Sequence, residues 1–243
     1  MMKVIGIIPA RYSSSRFPGK PLAKIAGKSI IRRVYDQAKK CKALSALYVA
    51  TDDERIFQHV NEFGGNVIIT GKHNSGTERC NEVAKILDNI FDVIINIQGD
   101  EPFINPKQIT QLANYFNDKN ISIVTLARNI KNTEELIDEN TVKVVFDKNY
   151  FAKNFSRLPI PQPKSFDPEK WFVNDKYYKH IGIYGYRTAI LEKICDLKSS
   201  KNELAEKLEQ LRWLDNSYKI KVGITKHNNI SIDVPKDIDK LEL

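Results

Sequence analysis

Residues 4–22 read VIGIIPARYSSSRFPGKPL, an apolar run that passes directly into a loop of small and basic residues. The run Val4–Pro9 is short and rich in β-branched residues, which predicts a buried strand. The loop after it carries three cations, Arg11, Arg16 and Lys20, among serines and a glycine. Ligands bind beyond the carboxyl ends of strands in open α/β sheets, so this stretch predicts both a sheet and the place of its ligand.

The composition of this loop indicates the chemistry of the ligand. Small residues let backbone N–H groups approach phosphate oxygens, arginine binds them bidentately, and lysine adds a point charge. The loop matches neither the P-loop pattern nor G-x-G-x-x-G, and the lack of the latter counts against a dinucleotide-dependent dehydrogenase. A solvated basic loop is the alternative, but so many cations directly after a buried strand favour phosphate binding.

Short β-branched runs alternate with helical patterns along the rest of the chain. The predicted strands are Val4–Pro9, Leu47–Thr51, Asn66–Thr70, Val93–Gln98, Ile121–Ala127, Val142–Phe146, His180–Tyr186 and Ile220–Ile224. The predicted helices are Ser29–Lys40, Glu54–Glu62, Thr77–Leu87, Pro106–Asn117, Ala189–Leu197 and Glu203–Asn216. This order predicts an α/β fold with a mostly parallel mixed sheet flanked by helices, and its strand-rich later part predicts an antiparallel section.

Local signals refine this prediction. Ser75-Gly76-Thr77-Glu78 has the spacing of a capping box at a helix start. Four leucines, at 204, 208, 211 and 214, are spaced to share one face of the last predicted helix. The segment Leu158–Phe172 contains four prolines and predicts an irregular excursion rather than a linker, because strands resume after it. We therefore take residues 1–243 as a single domain.

Composition narrows the class of protein. No stretch approaches the ~20 apolar residues that span a bilayer, and the first apolar run meets Arg11 too early for a signal peptide, so we expect a cytoplasmic protein without membrane contact. The net charge of +8 is compatible with binding either nucleic acid or small anions. The lysines are scattered and no nucleic-acid-binding motif is present, so we expect no nucleic-acid partner. Cys41, Cys80 and Cys195 are widely spaced, which indicates reduced thiols.

Two acidic segments follow predicted strands. The strand around Val93–Gln98 ends in Gly99-Asp100, which places the Asp100 carboxylate at the carboxyl edge of the sheet, near the basic loop. A carboxylate that faces phosphates is unfavourable unless a cation lies between them, and Mg²⁺ binds one or two carboxylates together with phosphate oxygens. The alternatives for Asp100 are a turn residue or an ion-pair partner of Arg16.

Asp233, after the last strand, is a second candidate ligand. Alone, it would be the N-cap of a short terminal helix with Pro235 in the first turn.

A third group of polar residues lies late in the chain. Arg157 offers a clamp for a carboxylate, and His180 and Tyr184 are four residues apart on one face of a strand. Glu209 and Gln210 offer hydrogen bonds to sugar hydroxyls. Each has a structural alternative: a surface arginine, a core histidine, a core tyrosine and solvated helix residues. Taken singly, those alternatives are the better interpretation.

Taken together, these segments resemble one family over nearly the whole chain, the 3-deoxy-manno-octulosonate cytidylyltransferases, also called CMP-Kdo synthetases. No single motif is specific, but so many in one order are. The matching segments are IPARYSSSRFPGKPL, VATDDER, SGTER, INIQGDEPF, VKVVFD, FSRLPIP, KHIGIYGYR and LEQLR.

The resemblance implies a nucleotide-diphospho-sugar transferase (Rossmann-like) fold and a homodimer, with a sugar-binding and dimerisation subregion around residues 150–190. It implies transfer of CMP from CTP to the acidic sugar Kdo, with Mg²⁺, to give CMP-Kdo and pyrophosphate for lipopolysaccharide synthesis. The residues that the resemblance assigns to catalysis are Arg11, Arg16, Lys20, Asp100 and Asp233. Those assigned to CTP are Ala10, Arg11, Ser14, Arg16 and Lys20 at the triphosphate and Ser75 and Arg79 at the cytosine. Those assigned to metal are Asp100 and Asp233, and those to the sugar acid are Gln98, Arg157, His180, Tyr184, Glu209 and Gln210.

The chain departs from the family pattern in two places. Many members read ALYFSR where this chain has Ala-Lys-Asn-Phe-Ser-Arg at 152–157, and the metal motif often reads DTPED where this chain has Asp-Val-Pro-Lys-Asp at 233–237. Asp233 itself is retained. The change before Arg157 leaves an 8-amino relative of Kdo, or another acidic 3-deoxy-2-keto sugar such as a sialic-type nonulosonate, as the alternative substrate.

Overall fold

The structure is a computed structural model, and it describes residues 2–14, 16–165 and 167–241, so Ser15 of the basic loop lies outside it. The strands are β1 Val4–Ala10, β2 Lys24–Ile25, β3 Lys28–Ser29, β4 Ala46–Thr51, β5 Val67–Ile69, β6 Val93–Asn96, β7 Ile123–Asn129, β8 Lys143–Phe146, β9 Ala152–Ser156, β10 Tyr178–Arg187 and β11 Ile220–Ile224. The helices are α1 Ile30–Lys39, α2 Glu54–Glu62, α3 Gly76–Ile86, α4 Pro106–Tyr115, α5 Thr133–Ile137, α6 Trp171–Asn174, α7 Thr188–Cys195, α8 Lys201–Glu206, α9 Gln210–Asp215 and α10 Lys236–Asp239. Each predicted strand is present, with both of its ends within two residues of the prediction.

The chain divides into two compact units. The first comprises Met1–Asn117, Ile183–Cys195 and Asn229–Leu243, and the second comprises Asp118–Gly182 and Asp196–Asn228. The predicted subregion around 150–190 therefore lies partly in each unit. Its roles in sugar binding and dimerisation stay predictions.

The sheet of the first unit has β1 at its centre, paired in parallel with β4 on one side and β6 on the other. Strand β5 extends it in parallel beyond β4, and the end of β10 adds an antiparallel strand beside β6. Consecutive residues of a strand point to opposite faces, and Ile94 and Ile95 of β6 are both 0% exposed, so both faces are covered. Helices α1 and α4 pack together, as do α3 and α7. The predicted mostly parallel mixed sheet flanked by helices is confirmed.

Helix α1 shows why these segments fold as they do. Ser29 caps it, because the Ser29 hydroxyl accepts a hydrogen bond from the N–H of Arg32. Its buried residues, which include Ile30, Val34 and Ala38, recur at the spacing of one helix face. That face packs against β1 and β4, so the helix follows from an amphipathic pattern and a cap.

The second unit contains the predicted antiparallel section. Strand β8 pairs antiparallel with β9 and, at Lys143 and Lys179, with β10, whereas β11 lies parallel to β7. Strand β9 was not predicted, because its sequence Ala-Lys-Asn-Phe-Ser lacks β-branched residues. Pairing with β8 and burial of Ala152, Phe155 and Ser156 form the strand instead.

The predicted helix Glu203–Asn216 is wrong in one respect, because it is two helices. Lys207 adopts a left-handed conformation (φ 55°, ψ 45°) and ends α8, with its N–H bonded to the carbonyl of Glu203. The predicted leucine face is broken accordingly: Leu204 is 66% exposed, whereas Leu208 and Leu211 are buried. The predicted irregular segment 158–172 includes a 3₁₀ turn, Pro168–Lys170, and the start of α6.

Within the described part of the chain, no helix combines the length and apolar character needed to traverse a bilayer.

Candidate active site

The functional residues collect at the carboxyl edge of the first unit's sheet. Parallel strands end at the same edge, so the residues after β1, β4 and β6 lie close together. A cleft of about 350 Å³ opens there. It is lined by the predicted triphosphate residues, by both predicted metal ligands, and by Gln98, Ser75 and Arg79. The structure thus brings together every predicted site residue of the first unit except Tyr184.

The basic loop is held in a defined shape by its own backbone. The carbonyl of Tyr12 accepts hydrogen bonds from the N–H groups of Ser14 (3.0 Å) and Gly19 (2.9 Å), and Gly19 has a φ of 72°, which favours glycine. The Arg55 guanidinium lies 3.3 Å from the centre of the Tyr12 ring. Arg55 is itself fixed by a bidentate pair with Asp53, and these hydrogen bonds lower the pKa of the Asp53 carboxyl. The loop is therefore shaped before any ligand binds.

Lys20 joins the two predicted metal ligands. Its Nζ lies 2.7 Å from Oδ2 of Asp100 and 4.0 Å from Oδ1 of Asp233, and it donates to the carbonyl of Ile232 at 2.8 Å. Arg16 reaches Asp233 Oδ1 at 2.9 Å from the other side. The Lys20 side chain is 14% exposed and that of Arg16 is 60% exposed. Two carboxylates from distant parts of the chain thus converge on one largely buried cation.

The two arginines of the loop differ from Lys20. Arg16 is exposed, so its pair with Asp233 contributes little to stability and is easily exchanged for another anion. Arg11 is exposed at the end of β1 and, among the described residues, its guanidinium makes no hydrogen bond or ion pair. It lines the cleft. Both arginines can therefore bind an anionic ligand without the loss of a strongly stabilising interaction.

Gly99 sets the approach of β6 to β1. A Cβ at Gly99 would lie 2.6 Å from the carbonyl oxygen of Pro9, which is backbone and cannot move aside without shifting the strand. The glycine therefore allows the Asp100 turn to pass directly over the end of β1. This contact is the physical reason for glycine before Asp100.

Gly99→Ala is expected to destabilise the fold by about 1–3 kcal/mol, the usual cost of overpacking, and to displace Asp100 from Lys20. Gly71→Ala is a matched control, because its Cβ would meet only Glu82, at 3.7 Å. Chemical denaturation of both variants measures the difference. Equal stability of the two variants would show that the Pro9 contact is readily relieved.

Ser75 and Arg79 occupy the start of α3. The Ser75 hydroxyl accepts the N–H of Glu78, which is the first half of the predicted capping box, whereas the Glu78 carboxylate accepts the N–H of Asn74. The Arg79 side chain is only 4% exposed. It donates to Asp52 at 3.1 Å, to the Thr70 hydroxyl and to the Gly71 carbonyl. Arg79 is thus rigidly held at the wall of the cleft.

The residues that hold this wall were not predicted from the sequence. Asp52 follows β4 directly, so its place after a strand was an available signal. His73 was not predicted and had no spacing signal; its Nε2 pairs with Glu82 and its Nδ1 lies 3.8 Å from Glu78. Glu82 also accepts the N–H of Gly71 with both oxygens. Residues 71–75 are therefore tied to α3 at several points.

Gln98 and Tyr184 are the predicted sugar residues of the first unit. Gln98 is half-buried in the cleft wall, with its amide 3.4 Å from Oδ1 of Asn96. Tyr184 is 6% exposed and stacks on Tyr186, with the ring centres 5.8 Å apart. The environment of Tyr184 is that of the core tyrosine that the sequence left as an alternative.

Arg157, Glu209 and Gln210 lie in the second unit. Arg157 Nε donates to the carbonyl of Glu206 at 2.9 Å and its Nη1 to that of Glu139 at 3.0 Å, so part of the guanidinium is used structurally. Gln210 is buried and Glu209 is partly exposed. Their sugar-binding roles stay predictions.

His180, also in the second unit, is a neutral imidazole. Its Nε2 lies 2.9 Å from the Thr125 hydroxyl, and its ring meets Phe155 edge-on at 5.1 Å. The residue keeps some exposure, but burial of the ring lowers the pKa of His180 from 6.5 to about 3. A neutral ring at this position can exchange hydrogen bonds but cannot supply a positive charge near neutral pH.

The stability of the protein is expected to fall as pH drops from about 6.5 toward 3, through His180. The unfolded chain binds a proton in this window that the folded chain does not, so the contribution is complete above pH 6.5 and is lost below it. The slope from one such residue is at most about 1.4 kcal/mol per pH unit. Unfolding free energies of the wild type and His180→Gln, compared between pH 4 and 7, measure it. Parallel curves would contradict the lowered pKa.

The carboxylates suit a magnesium ion in number and chemistry. Within the described ranges, no three His, Cys, Asp or Glu side chains form a group able to hold a metal. Mg²⁺, however, commonly takes one or two carboxylates and completes its shell with substrate phosphates and water. Asp100 and Asp233 supply two carboxylates in a cleft that also contains the cations expected of a phosphate site. The two carboxylates therefore fit part of a Mg²⁺ coordination shell, which water or phosphate oxygens would complete.

The fold and the cleft together define the class of protein. A parallel sheet with a shaped basic loop after its first strand, faced by two carboxylates, is an arrangement for nucleotidyl transfer, and the chain is a nucleotidyltransferase. A family model described as cytidylyltransferase matches residues 5–220. The chain belongs to the 3-deoxy-manno-octulosonate cytidylyltransferase family.

Individual relatives support this assignment. The 3-deoxy-manno-octulosonate cytidylyltransferase of Parabacteroides distasonis is 50% identical over 99% of this chain and 97% of its own length. The 8-amino-3,8-dideoxy-manno-octulosonate cytidylyltransferase of Shewanella putrefaciens is 45% identical over 99% of this chain and 98% of its own. A solved CMP:2-keto-3-deoxy-manno-octonic acid synthetase complexed with CTP superposes with a TM-score of 0.90 at 38% identity, over 98% of this chain and 96% of that one.

Proposed function

We propose that this chain transfers CMP from CTP to 3-deoxy-D-manno-octulosonate (Kdo), giving CMP-Kdo and pyrophosphate, with Mg²⁺ held by Asp100 and Asp233. The observation that carries the proposal is the convergence of Asp100 and Asp233 on Lys20 at the mouth of the basic loop. The relatives named for this activity support the identity of the nucleotide and of the sugar.

The reaction requires positioning and charge stabilisation more than acid–base chemistry. The anomeric oxygen of the sugar forms a bond to the α-phosphorus of CTP, the bond from that phosphorus to the β-phosphate oxygen breaks, and the hydroxyl proton passes to solvent. Bound Mg²⁺ would supply Lewis-acid chemistry, neutralising phosphate charge and lowering the pKa of a coordinated hydroxyl.

Side chains of the first unit bind the triphosphate and the cytosine of CTP. Arg11, Arg16 and Lys20 bind the triphosphate and stabilise the charge that develops on the leaving pyrophosphate. Arg79, fixed by Asp52, and Ser75 form the wall for the cytosine. Because the loop and this wall are ordered by their own hydrogen bonds, little ordering remains to be done when CTP binds.

The 8-amino relative of Kdo is the second candidate substrate. Relatives named for that sugar match this chain at 45% identity, only slightly below those named for Kdo. The unusual sequence at 152–154, before Arg157, is the feature of this chain that favours testing it.

Three further features of the proposal follow from the family resemblance. They are a homodimer as the working form, the cytoplasm as the location and lipopolysaccharide synthesis as the use of the product.

Pyrophosphate release tests the proposal. The purified protein is mixed with CTP, Mg²⁺ and, in separate reactions, Kdo, 8-amino-Kdo and a sialic-type nonulosonate, and the products are identified by mass spectrometry. We expect the highest kcat/KM with Kdo and a product with the mass of CMP-Kdo. A higher value for 8-amino-Kdo would replace the first candidate with the second. Release of no pyrophosphate with any acidic sugar would overturn both.

A further inference from the structure

Asp233 lies on a segment with almost no regular structure of its own. The segment 229–237 follows β11 and runs without strand or helix until α10 begins at Lys236. A carboxylate on such a segment is only as well placed as the contacts that hold its backbone. Those contacts therefore decide whether Asp233 can act together with Asp100.

The first contact is a buried hydrogen bond at the start of the segment. The Asn229 amide donates to the carboxylate of Glu101, the residue directly after Asp100. Glu101 is 6% exposed and Asn229 is 8% exposed, so both side chains are withdrawn from water. Buried carboxylates are uncommon unless they are hydrogen-bonded, so this pair ties the segment firmly to the Asp100 turn.

The second contact is backbone to backbone. The N–H of Ile232 donates to the carbonyl of Asp100 at 2.9 Å, and the carbonyl of Ile232 accepts from Lys20. The Ile232 side chain is fully buried against Ile25 and Ile30. Asp233 is thus adjacent to a residue bonded directly to Asp100.

The third contact lies on the far side of Asp233. One oxygen of Asp237, Oδ2, accepts the N–H of Asp233 at 2.8 Å and that of Val234 at 3.0 Å. The alternative prediction, in which Asp233 caps the terminal helix, is wrong, because α10 has Pro235 at its N-cap position. The carboxylate of Asp237 instead fixes the backbone from which the Asp233 side chain projects.

We propose that Asn229 and Asp237 are positioning residues that hold Asp233 opposite Asp100, and so set the affinity of the site for its divalent cation. The inference rests on the proposed function, which makes Asp100 and Asp233 the metal ligands. In this proposal, neither Asn229 nor Asp237 contacts the metal. Each of the two acts through the backbone of segment 229–237.

The test compares Asn229→Ala and Asp237→Ala with the wild type. Mn²⁺ binding to the protein is measured by electron paramagnetic resonance, and the Mg²⁺ concentration for half-maximal rate by steady-state kinetics. Loss of groups that orient metal ligands typically weakens metal affinity by about 10–100-fold, and we expect both measurements to shift by about tenfold or more. The KM for CTP at saturating Mg²⁺ is expected to change less than the metal affinity.

Two variants serve as controls. Asp237→Asn keeps an oxygen that can accept both N–H groups, so it is expected to retain most of the metal affinity. Asp239→Ala removes an exposed carboxylate from the same short helix and is expected to leave the metal affinity unchanged. Should Asn229→Ala fail to fold, Asp237→Ala carries the test alone, because the Asp237 side chain is 22% exposed.

Lower thermal stability with unchanged Mn²⁺ affinity would overturn the inference and leave both residues with a structural role only. Equal loss of affinity in Asp237→Asn and Asp237→Ala would also overturn it, since charge and not geometry would then be responsible. Failure of the proposed function is a separate outcome: the wild type itself would bind no Mn²⁺ and release no pyrophosphate.

Discussion

Asp100→Ala is expected to lower kcat by more than about a thousandfold at saturating CTP, sugar and Mg²⁺. Loss of a single group that stabilises charge in a transition state typically costs about 10²–10³-fold. The loss here is expected to be larger, because Asp100 is both a proposed metal ligand and the closest carboxylate to Lys20. Its removal affects two charges that the reaction uses together.

The effect is expected in kcat rather than in the KM for CTP. The three cations of the basic loop remain in the variant and still bind the triphosphate. An interaction that strengthens only as the bond to phosphorus forms appears in kcat when it is lost. Single-turnover measurements with and without excess Mg²⁺ distinguish slow chemistry from slow product release.

Asp36→Ala is the matched control for this variant. Asp36 also pairs with a lysine, Lys28 at 3.0 Å, but on an exposed part of α1. Both variants remove one carboxylate that pairs with a lysine, so a difference between them reflects the location of the carboxylate. Near wild-type turnover of Asp100→Ala would remove Asp100 from the metal site.

The sequence predicted the centre of the fold because burial and pattern agree there. Strands such as β1 and β6 are buried on both faces, so their sequences are almost wholly apolar and cannot be mistaken for surface segments. Strand β9 shows where this fails. Its residues form a strand only because β8 lies beside them, and a pairing partner is not visible in a local pattern.

The break between α8 and α9 could not be predicted for a different reason. A helix end of this kind usually carries glycine, but here Lys207 takes the left-handed conformation. Arg212 of α9 then forms a bidentate pair with Glu203 of α8, at 2.7 and 2.9 Å. The leucine spacing continued through the break in the sequence, but Leu204 of α8 is exposed and only Leu208 and Leu211 are buried.

In the site, the sequence identified charged residues that lie in loops directly after a strand. It did not identify the residues that hold those side chains in place. Lys20 and Asp100 were predictable because each follows a buried strand in a loop with glycine. Asp52 also follows a strand, but its pairing with Arg79 was not predictable, because it depends on the packing of α3 against β4. The same holds for Asn229 and Glu101, which are 128 residues apart.

Lys20→Ala is expected to lower kcat/KM by about 10²–10³-fold, which is the typical cost of losing one charge-stabilising group. The structure also leads us to expect that metal affinity in the absence of CTP does not fall in this variant. Lys20 Nζ lies between the two carboxylates that are proposed to hold Mg²⁺, 2.7 Å from Oδ2 of Asp100 and 4.0 Å from Oδ1 of Asp233. Without nucleotide, the ammonium group therefore competes with the metal for these oxygens.

Removal of the ammonium group is thus expected to separate metal binding from catalysis. In the absence of CTP, Lys20→Ala should bind Mn²⁺ at least as tightly as the wild type, because two carboxylates without their cation attract a divalent ion more strongly. In the presence of CTP, the variant should turn over slowly, because the triphosphate has lost a buried positive charge. Lys24→Ala, which removes an exposed lysine four residues away, is expected to change neither quantity.

Metal titrations with and without CTP, together with kcat/KM, are measured for the wild type, Lys20→Ala and Lys24→Ala. They test whether metal binding and catalysis change separately. If Lys20→Ala lost Mn²⁺ affinity along with activity, the ammonium group would be an organiser of the carboxylates and not a competitor for them. If it kept full activity, Lys20 would have no part in binding the triphosphate. The expected combination, retained metal affinity with slow turnover, arises only if Lys20 exchanges its carboxylate partners for phosphate when CTP enters the cleft.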